Sequence, residues 1–210
     1  MVSLDIISDP ICPWCYIGKT HLFRALENNP HHPFEIKWHP FQLNPDMPAK
    51  GMDRRDYLET KFGGKEGALK AYAPIVKTFE DLGMTKVDLG KITRTPNTLD
   101  AQRLIHWAGI EGRQTAVVHA LFAAYFEDGR DISDNDVLAD IADGVEMDAS
   151  MARKRLRADA DQEDVRARDA QAREMGVTGV PTFIVAGQHA VPGAQPPELW
   201  AKVIEELAAA

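Results

Sequence analysis

Strand-like patterns occur at the two ends of this chain, and this placement limits the folds that it can adopt. An apolar run covers residues 2–8, and apolar and polar residues alternate over residues 34–39, which predicts two strands. A helix is predicted between them over residues 13–28, where an Asn-Asn-Pro sequence ends it. A strand, a helix and a strand in this order favour a parallel strand pair.

The C-terminal end predicts a hairpin followed by a helix. Residues 182–185 form its first strand, residues 187–188 (Gly-Gln) the turn, and residues 189–191 the second strand. Two prolines at 196–197 then open a terminal helix that carries its large apolar residues on one face.

The long middle of the chain is predicted to be helical. A turn-rich segment over residues 44–52 precedes it, and from Asp53 to about Gly176 there is no convincing strand pattern. The predicted helices span residues 53–62, 65–82, 97–109, 112–127, 134–143 and 148–175, the last of them open to a break near Asp159. Residues 153–173 are dense in charge, which is typical of a solvated helix face.

These elements predict an α/β fold of the order βαβ…ββα with an inserted all-helical domain. The two ends supply the halves of one mixed sheet. We therefore expect one domain from residues 1–43 plus 177–210, and a second domain from residues 44–176.

Composition and charge exclude several classes of function. The 210 residues are 44% hydrophobic and carry a net charge of -8, which argues against binding to nucleic acid or to anionic membranes. No apolar run reaches the roughly 18 residues of a membrane-spanning helix, and no secretory signal is visible. We therefore expect a cytoplasmic protein.

The sequence Cys12-Pro13-Trp14-Cys15 holds the only two cysteines of the chain, where the first strand gives way to the first helix. Placed just before the helix, the Cys12 sulfur would meet the N–H groups of Trp14 and Cys15 and the positive end of the helix dipole. Both favour the thiolate, which predicts Cys12 as the nucleophile. Cys15, one turn further on, is the predicted resolving thiol.

Two structural interpretations of this cysteine pair compete with redox chemistry. The first is a chance pair of inert thiols. The second is a zinc site, which needs four ligands and would have to recruit histidines. The available histidines are His21, His31, His32 and His39. None of them forms a second ligand pair with the spacing of a zinc finger, so we predict no metal site.

A second signal lies far away, where Pro181 directly precedes a predicted strand. A trans proline that ends the loop is one reading. A cis Val180–Pro181 bond beside the cysteines is the other, and it would leave the backbone of Val180 free to pair with an extended substrate.

The chain resembles thioredoxin-fold oxidoreductases of the DsbA family, and within it the FrnE-like branch. Residues 9–19 (Asp-Pro-Ile-Cys-Pro-Trp-Cys-Tyr-Ile-Gly-Lys) and 179–183 (Gly-Val-Pro-Thr-Phe) carry the resemblance. Weaker matches are residues 38–45, Asn97-Thr98 with Ala101 and Arg103, and residues 193–196. The resemblance implies a thioredoxin-like core with a helical insertion.

The resemblance also implies a function. Cys12 would be the nucleophile, Cys15 the resolving cysteine and Pro181 the cis proline of a protein disulfide oxidoreductase or isomerase. A redox-active Cys12–Cys15 disulfide would serve in place of a bound cofactor, and the substrate would be a thiol or disulfide protein or a small thiol. The export signal of periplasmic DsbA proteins is missing from the sequence.

Other functions stay open at this point. The same branch resembles 2-hydroxychromene-2-carboxylate isomerases and kappa-class glutathione transferases, which use glutathione and typically lack the full cysteine pair. Retention of both cysteines favours dithiol chemistry, although glutathione remains a possible participant. A redox-sensing protein without turnover is a third hypothesis, and both a monomer and a homodimer fit the acidic surface.

Several further residues receive a provisional role. We expect Pro13, Trp14 and Val180 to contact the substrate. Asn97 opens an insert helix that the resemblance places at the cysteine cleft, with simple helix capping as the alternative.

Three charged or titratable residues are interpreted as structural or left unassigned. Asp5 lies in the first strand, and we do not assign it as a proton acceptor for Cys15. His119 is interpreted as a core histidine with satisfied hydrogen bonds, and Arg103 as the partner of an ion pair.

Overall fold

Strands from the two ends of the chain form one mixed sheet in the computed structural model, which describes residues 1–209. The sheet order is β2-β1-β5-β6. Its strands are β1 (Val2–Ser8), β2 (Phe34–Pro40), β5 (Thr182–Val185) and β6 (His189–Pro192). β1 pairs in parallel with β2 and antiparallel with β5, so the predicted βαβ and ββα units share a central strand.

Alternation along β1 gives the sheet two buried faces. Leu4 and Ile6 belong to the main core, whereas Ile7 packs with Phe41 and Ala172 on the opposite face. α1 (Pro13–Asn28) joins β1 to β2, and α9 (Pro197–Ala209) packs against α1.

Seven helices lie between β2 and β5, a part of the chain that the structure describes in full. They are α2 (Arg54–Phe62), α3 (Lys65–Asp81), α4 (Leu99–Ile110), α5 (Gln114–Phe126), α6 (Asn135–Gly144), α7 (Ala149–Arg157) and α8 (Gln162–Glu174). α4, α5 and α8 contact β2, so the helical block packs around the β2 edge of the sheet. The division into two domains stays a prediction.

The structure differs from the predicted elements in one place, and it has the break near Asp159 that the prediction left open. A short antiparallel pair, β3 (Met52–Asp53) and β4 (Arg94–Thr95), lies in the region predicted to be wholly helical. The helix predicted over residues 148–175 is broken between α7 and α8, where Asp161 has a φ of 60° in the left-handed region.

Arg103 holds the break between α7 and α8. Its buried guanidinium pairs with Asp100 at 2.7 Å and donates to the backbone oxygens of Arg155, Ala158 and Ala160 at 2.6–2.7 Å. The interpretation of Arg103 as an ion-pair partner is confirmed, and its contacts to the backbone explain why the chain leaves the helix there.

No helix within residues 1–209 is both long and apolar enough to cross a membrane. Over the same residues, no group of three or more His, Cys, Asp or Glu side chains is arranged to hold a metal ion.

Candidate active site

Cys12 occupies the N-cap of α1, with Pro13 in the first turn of the helix. Cys15 lies inside that first turn, and both side chains are buried, with exposed fractions of 4% and 2%. Proline fits the first turn because its missing N–H has no helical partner there. The strand-to-helix junction therefore places the two sulfurs on one side of the helix start, as the spacing predicts.

The expected hydrogen bonds to the Cys12 sulfur are absent, and this is a correction. The N–H groups of Cys15 and Tyr16 donate to the Cys12 carbonyl oxygen, at 3.0 and 3.2 Å, and the Cys12 side chain accepts no capping bond. The thiol instead donates to the carbonyl oxygen of Val180 at 3.5 Å. The sulfur thus faces the chain before β5.

The Val180–Pro181 peptide bond is cis. Pro181 is buried at the start of β5, and Val180 is half-buried beside Cys12. α1 approaches this segment closely at Gly18, where an added Cβ would lie 3.0 Å from Pro181 Cγ and 3.3 Å from Phe183 Cζ. The glycine therefore allows the cysteine helix to pack against the proline.

Cys15 is almost completely buried from solvent. Burial raises the pKa of the Cys15 thiol well above its ordinary value, and the neighbouring Cys12 sulfur adds to the rise. The backbone N–H of Asp9 and the hydroxyl of Ser8 oppose it. Cys15 is consequently held as a protonated thiol while the pair is reduced.

Asp9 is a buried carboxyl group three residues before Cys12. Its two oxygens accept the N–H groups of Ile11 at 3.2 Å and Leu43 at 2.7 Å, so it ties the loop before α1 to the chain after β2. Burial raises its pKa from 3.8 to about 7, against the effect of these hydrogen bonds. The sequence reasoning missed this role, although Asp9 lies in the motif that carries the family resemblance.

A cavity of about 330 Å³ opens over the cysteines, between the start of α1 and the helices α2 and α3. Three of the predicted substrate contacts, Pro13, Trp14 and Val180, line it together with Cys12. Trp14 is 37% exposed at the rim. A larger cavity of about 570 Å³ on another side of α2 contains neither cysteine, so the smaller cavity is the candidate substrate cleft.

The sequence of this chain matches the model of the DSBA-like thioredoxin domain over residues 3–205. The chain belongs to this family. The match extends over nearly the whole length and includes both cysteines and the Val180–Pro181 step. The predicted family resemblance and the thioredoxin-like fold class are confirmed.

Individual relatives agree with this assignment. The uncharacterized Bacillus subtilis protein YwbO is 26% identical, covering 98% of this chain and 96% of its own. The structure of the probable DsbA oxidoreductase SCO1869 from Streptomyces coelicolor is 29% identical, with a TM-score of 0.83 and coverage of 100% and 91%. A 2-hydroxychromene-2-carboxylate isomerase shares the fold at 16% identity, with a TM-score of 0.71 and coverage of 98% and 96%.

Asn97 lies outside the cysteine cleft of this DSBA-like domain. Its amide nitrogen donates to Met47 O at 2.6 Å, and its oxygen accepts from the Leu99 N–H at 2.9 Å and from Gln42 Nε2 at 3.2 Å. Since it lines a separate small cavity, this placement does not support the prediction that Asn97 contacts the substrate. Its bonds serve the start of α4, as the capping alternative expects.

Two other titratable residues also have structural surroundings. Asp5 pairs with His39 at 2.8 Å, and with a quarter of its side chain exposed it is not a buried proton acceptor. His119 packs edge-on against Phe23 at 4.5 Å, which agrees with a core position. Its Nε2 atom, however, has no hydrogen-bond partner among the described residues, so the expectation of a satisfied histidine is wrong.

Proposed function

We propose that this chain is a thiol–disulfide oxidoreductase in which Cys12 attacks the substrate and Cys15 resolves the mixed disulfide. One observation carries the proposal. The Cys12 sulfur lines the cleft at the N-terminus of α1, and Cys15 lies behind it in the same helical turn with its pKa raised by burial. The two thiols thus have different surroundings, which suits their different roles.

In the reducing direction, the Cys12 thiolate attacks one sulfur of a substrate disulfide. The substrate S–S bond breaks, a bond between Cys12 and the substrate forms, and the other substrate sulfur leaves as a thiolate. Cys15 then loses its proton and attacks the Cys12 sulfur, which releases the second substrate thiolate. Two electrons pass to the substrate and a Cys12–Cys15 disulfide remains; the oxidising direction is the reverse.

Val180 supplies the backbone beside which the substrate would bind. Its carbonyl lies 3.5 Å from the Cys12 sulfur at the floor of the cleft. In this proposal an extended substrate segment pairs with the backbone around Val180, in the manner of an added strand. Trp14, partly exposed at the rim, would contact apolar groups of the substrate.

The test is trapping of the mixed disulfide on single-cysteine variants. Cys15→Ser should accumulate a Cys12-linked adduct with a disulfide substrate, which mass spectrometry detects, because nothing resolves it. Cys12→Ser should form no adduct at an appreciable rate, since the remaining thiol is buried and protonated. Insulin reduction and oxidation of a reduced model protein measure turnover, and equal rates for wild type and Cys12→Ser would refute the proposal.

The direction of electron flow follows from the reduction potential of the cysteine pair. A value near about -120 mV would assign the protein as an oxidant, and a value near about -270 mV as a reductant. Equilibration with glutathione buffers of known composition measures it.

A glutathione-dependent isomerase or transferase is the second candidate. It is favoured by the size of the cleft, which suits a small peptide thiol, and by the shared fold of the isomerase. Here bound glutathione performs the chemistry, so activity should survive Cys15→Ser. Loss of activity in that variant, or failure to bind glutathione, would remove this candidate.

The cytoplasmic location is part of the proposal and has a simple test. Fractionation of the source cells should recover the protein in the cytoplasmic fraction with its cysteines reduced. Recovery from an extracytoplasmic fraction would overturn the location and leave the chemistry unaffected.

A further inference from the structure

The wall of the cysteine cleft carries positive charge in an acidic protein. Arg54 and Lys61 of α2 line the cavity, and none of its sixteen lining residues is Asp or Glu. The chain as a whole has a net charge of -8. The two cations lie seven residues apart, two turns along one face of α2, so the helix directs both toward the cleft.

Arg54 is a buried cation that forms no salt bridge with any residue between 1 and 209. Arg54 is only 8% exposed. Its Nη1 atom donates to the Tyr125 hydroxyl at 3.1 Å, whereas its Nη2 atom has no hydrogen-bond partner. The guanidinium also lies over the Tyr72 ring at 5.3 Å. Buried charges in proteins are normally paired, because an uncompensated one is strongly destabilising.

A second polar atom on the same wall is also without a partner among residues 1–209. Thr95, which lines the cavity, has a buried hydroxyl with no hydrogen bond. Lys61 donates to the Tyr57 hydroxyl at 2.6 Å, and Tyr57 donates to Asn44, whose amide nitrogen is unpaired. Buried polar groups without partners are rare, so the two that line this cleft, Arg54 Nη2 and the Thr95 hydroxyl, point to a ligand that completes them.

We propose that Arg54 and Lys61 form a carboxylate-binding subsite that selects small disulfides bearing a carboxylate group. The inference rests on the proposed oxidoreductase function and names its substrate class. A guanidinium and an ammonium group donate charge-assisted hydrogen bonds to a carboxylate, and Nη2 is the guanidinium nitrogen of Arg54 that is left without a partner. The cleft, at about 330 Å³ and walled by α2 and α3, has the size of a small-molecule site.

The small disulfide is itself the oxidant in this reaction, so no further reactant is needed. The Cys12 thiolate attacks the small disulfide and releases one carboxylate-bearing thiolate. Cys15 then displaces the second thiolate, and the protein keeps the Cys12–Cys15 disulfide. During both steps the carboxylate of the bound half stays on Arg54 and Lys61, which orients its sulfur toward Cys12.

A size-matched series of disulfides tests the proposal on the reduced full-length protein. The probes are 3,3′-dithiodipropionate with two carboxylates, 2-hydroxyethyl disulfide with no charge, and cystamine with two ammonium groups. The rate at which each probe oxidises the Cys12–Cys15 pair is divided by the rate at which the same probe reacts with 2-mercaptoethanol. This division corrects for the intrinsic reactivity of the probe. We expect the dicarboxylate to exceed the neutral probe by about 10-fold, and cystamine to be slowest.

Variants assign the preference to the two cations. Arg54→Gln and Lys61→Gln should each bring the ratio of dicarboxylate to neutral probe towards one, and Lys61→Glu should reverse it. Arg55→Gln is the matched control, because Arg55 is 82% exposed and outside the cysteine cleft. A wild-type ratio near one, or a preference that persists in the Arg54 and Lys61 variants, overturns the subsite and leaves the oxidoreductase function standing.

A second readout does not depend on disulfide exchange. Alkylation of Cys12 by iodoacetate relative to iodoacetamide should fall in Arg54→Gln and Lys61→Gln, and stay at the wild-type value in Arg55→Gln. Since Lys61 is exposed, its variant is expected to fold even if Arg54→Gln does not. If none of the probes oxidises the pair, the alkylation ratio alone supports or overturns the subsite, while trapping of the mixed disulfide on Cys15→Ser decides the proposed function.

Discussion

Replacement of Asp9 by Asn tests whether the buried carboxyl beside the cysteines is protonated in the folded protein. Burial raises the pKa of Asp9 from 3.8 to about 7. At about 1.4 kcal/mol for each tenfold change in proton binding, this difference is worth about 4 kcal/mol. The folded state binds the proton more tightly than the unfolded chain, so the free energy of unfolding falls as the pH rises from about 4 to about 7.

Most of this dependence lies in an accessible pH range. With those two pKa values, the linkage relation gives a loss of about 3 kcal/mol between pH 5 and pH 8. The amide introduced by Asp9→Asn does not titrate and therefore removes this slope. An amide has one oxygen where the carboxyl group has two, so one of the N–H groups of Ile11 and Leu43 loses its acceptor, at a cost of about 1–3 kcal/mol at every pH.

Urea unfolding from pH 5 to pH 8, with the cysteines kept reduced, measures the effect. At pH 5 the wild type should be the more stable protein, and its advantage over Asp9→Asn should decrease by about 3 kcal/mol by pH 8. Asp46→Asn is the control, since Asp46 is exposed and its variant should track the wild type. A constant difference between wild type and Asp9→Asn across this range would refute the assignment of a protonated Asp9.

Three further variants test the close packing at Gly18, the buried guanidinium of Arg103 and the buried imidazole of His119. Gly18→Val should destabilise the protein by about 1–3 kcal/mol and slow Cys12 alkylation by displacing Pro181, whereas Gly144→Val, with open space around it, should cost less than about 1 kcal/mol. Arg103→Met should lower the free energy of unfolding by about 3–5 kcal/mol, because it leaves several backbone oxygens unpaired, and the exposed control Arg113→Met by less than about 1 kcal/mol. Burial lowers the pKa of His119 to about 4, so this group alone disfavours the folded state by about 2 kcal/mol at pH 5 relative to pH 8. The difference in free energy of unfolding between His119→Gln and the wild type should therefore shift by about 2 kcal/mol in favour of the variant from pH 8 to pH 5, as urea unfolding at the two pH values would show.

The sheet and its flanking helices could be predicted because their signals are local. An apolar run identified β1 and residue alternation identified β2, each within a residue of its ends, and the Asn-Asn-Pro sequence marked the end of α1. β3 and β4 could not be found this way, since two residues each are too short to show a period. The sequence left a break near Asp159 open, but no local pattern reports the contacts that Arg103, more than 50 residues away, makes at that break.

Only the part of the candidate site that lies within one short segment, the cysteine pair at the start of α1, could be predicted from the sequence. The spacing of the cysteines at a strand-to-helix junction placed both sulfurs in the first turn of α1. The hydrogen bonds of that turn were predicted wrongly, because the Cys12 carbonyl, rather than its sulfur, accepts the free N–H groups. Asp9 and Arg54 acquire their importance from burial by distant segments, which a pattern within one sequence does not reveal.

The helical block also forms hydrogen bonds to the ends of β1 and β2, close to the loop that carries Cys12. The amide of Gln102 in α4 donates to the carbonyls of Ser8 and Phe41, at the ends of β1 and β2. From α8, Asp169 accepts the Gln42 N–H at 2.6 Å, and Arg173 donates to the Gln42 carbonyl.

These bonds engage backbone groups where β1 and β2 end, directly beside the loop that carries Cys12. The same block supplies the basic wall of α2 on the other side of the cleft. A helical block that only covered the sheet would need neither the hydrogen bonds to the strand ends nor the cations of α2. The helical block therefore supports the strand ends that precede the Cys12 loop and would supply the cations of the proposed carboxylate subsite, although the redox motif itself lies outside the block.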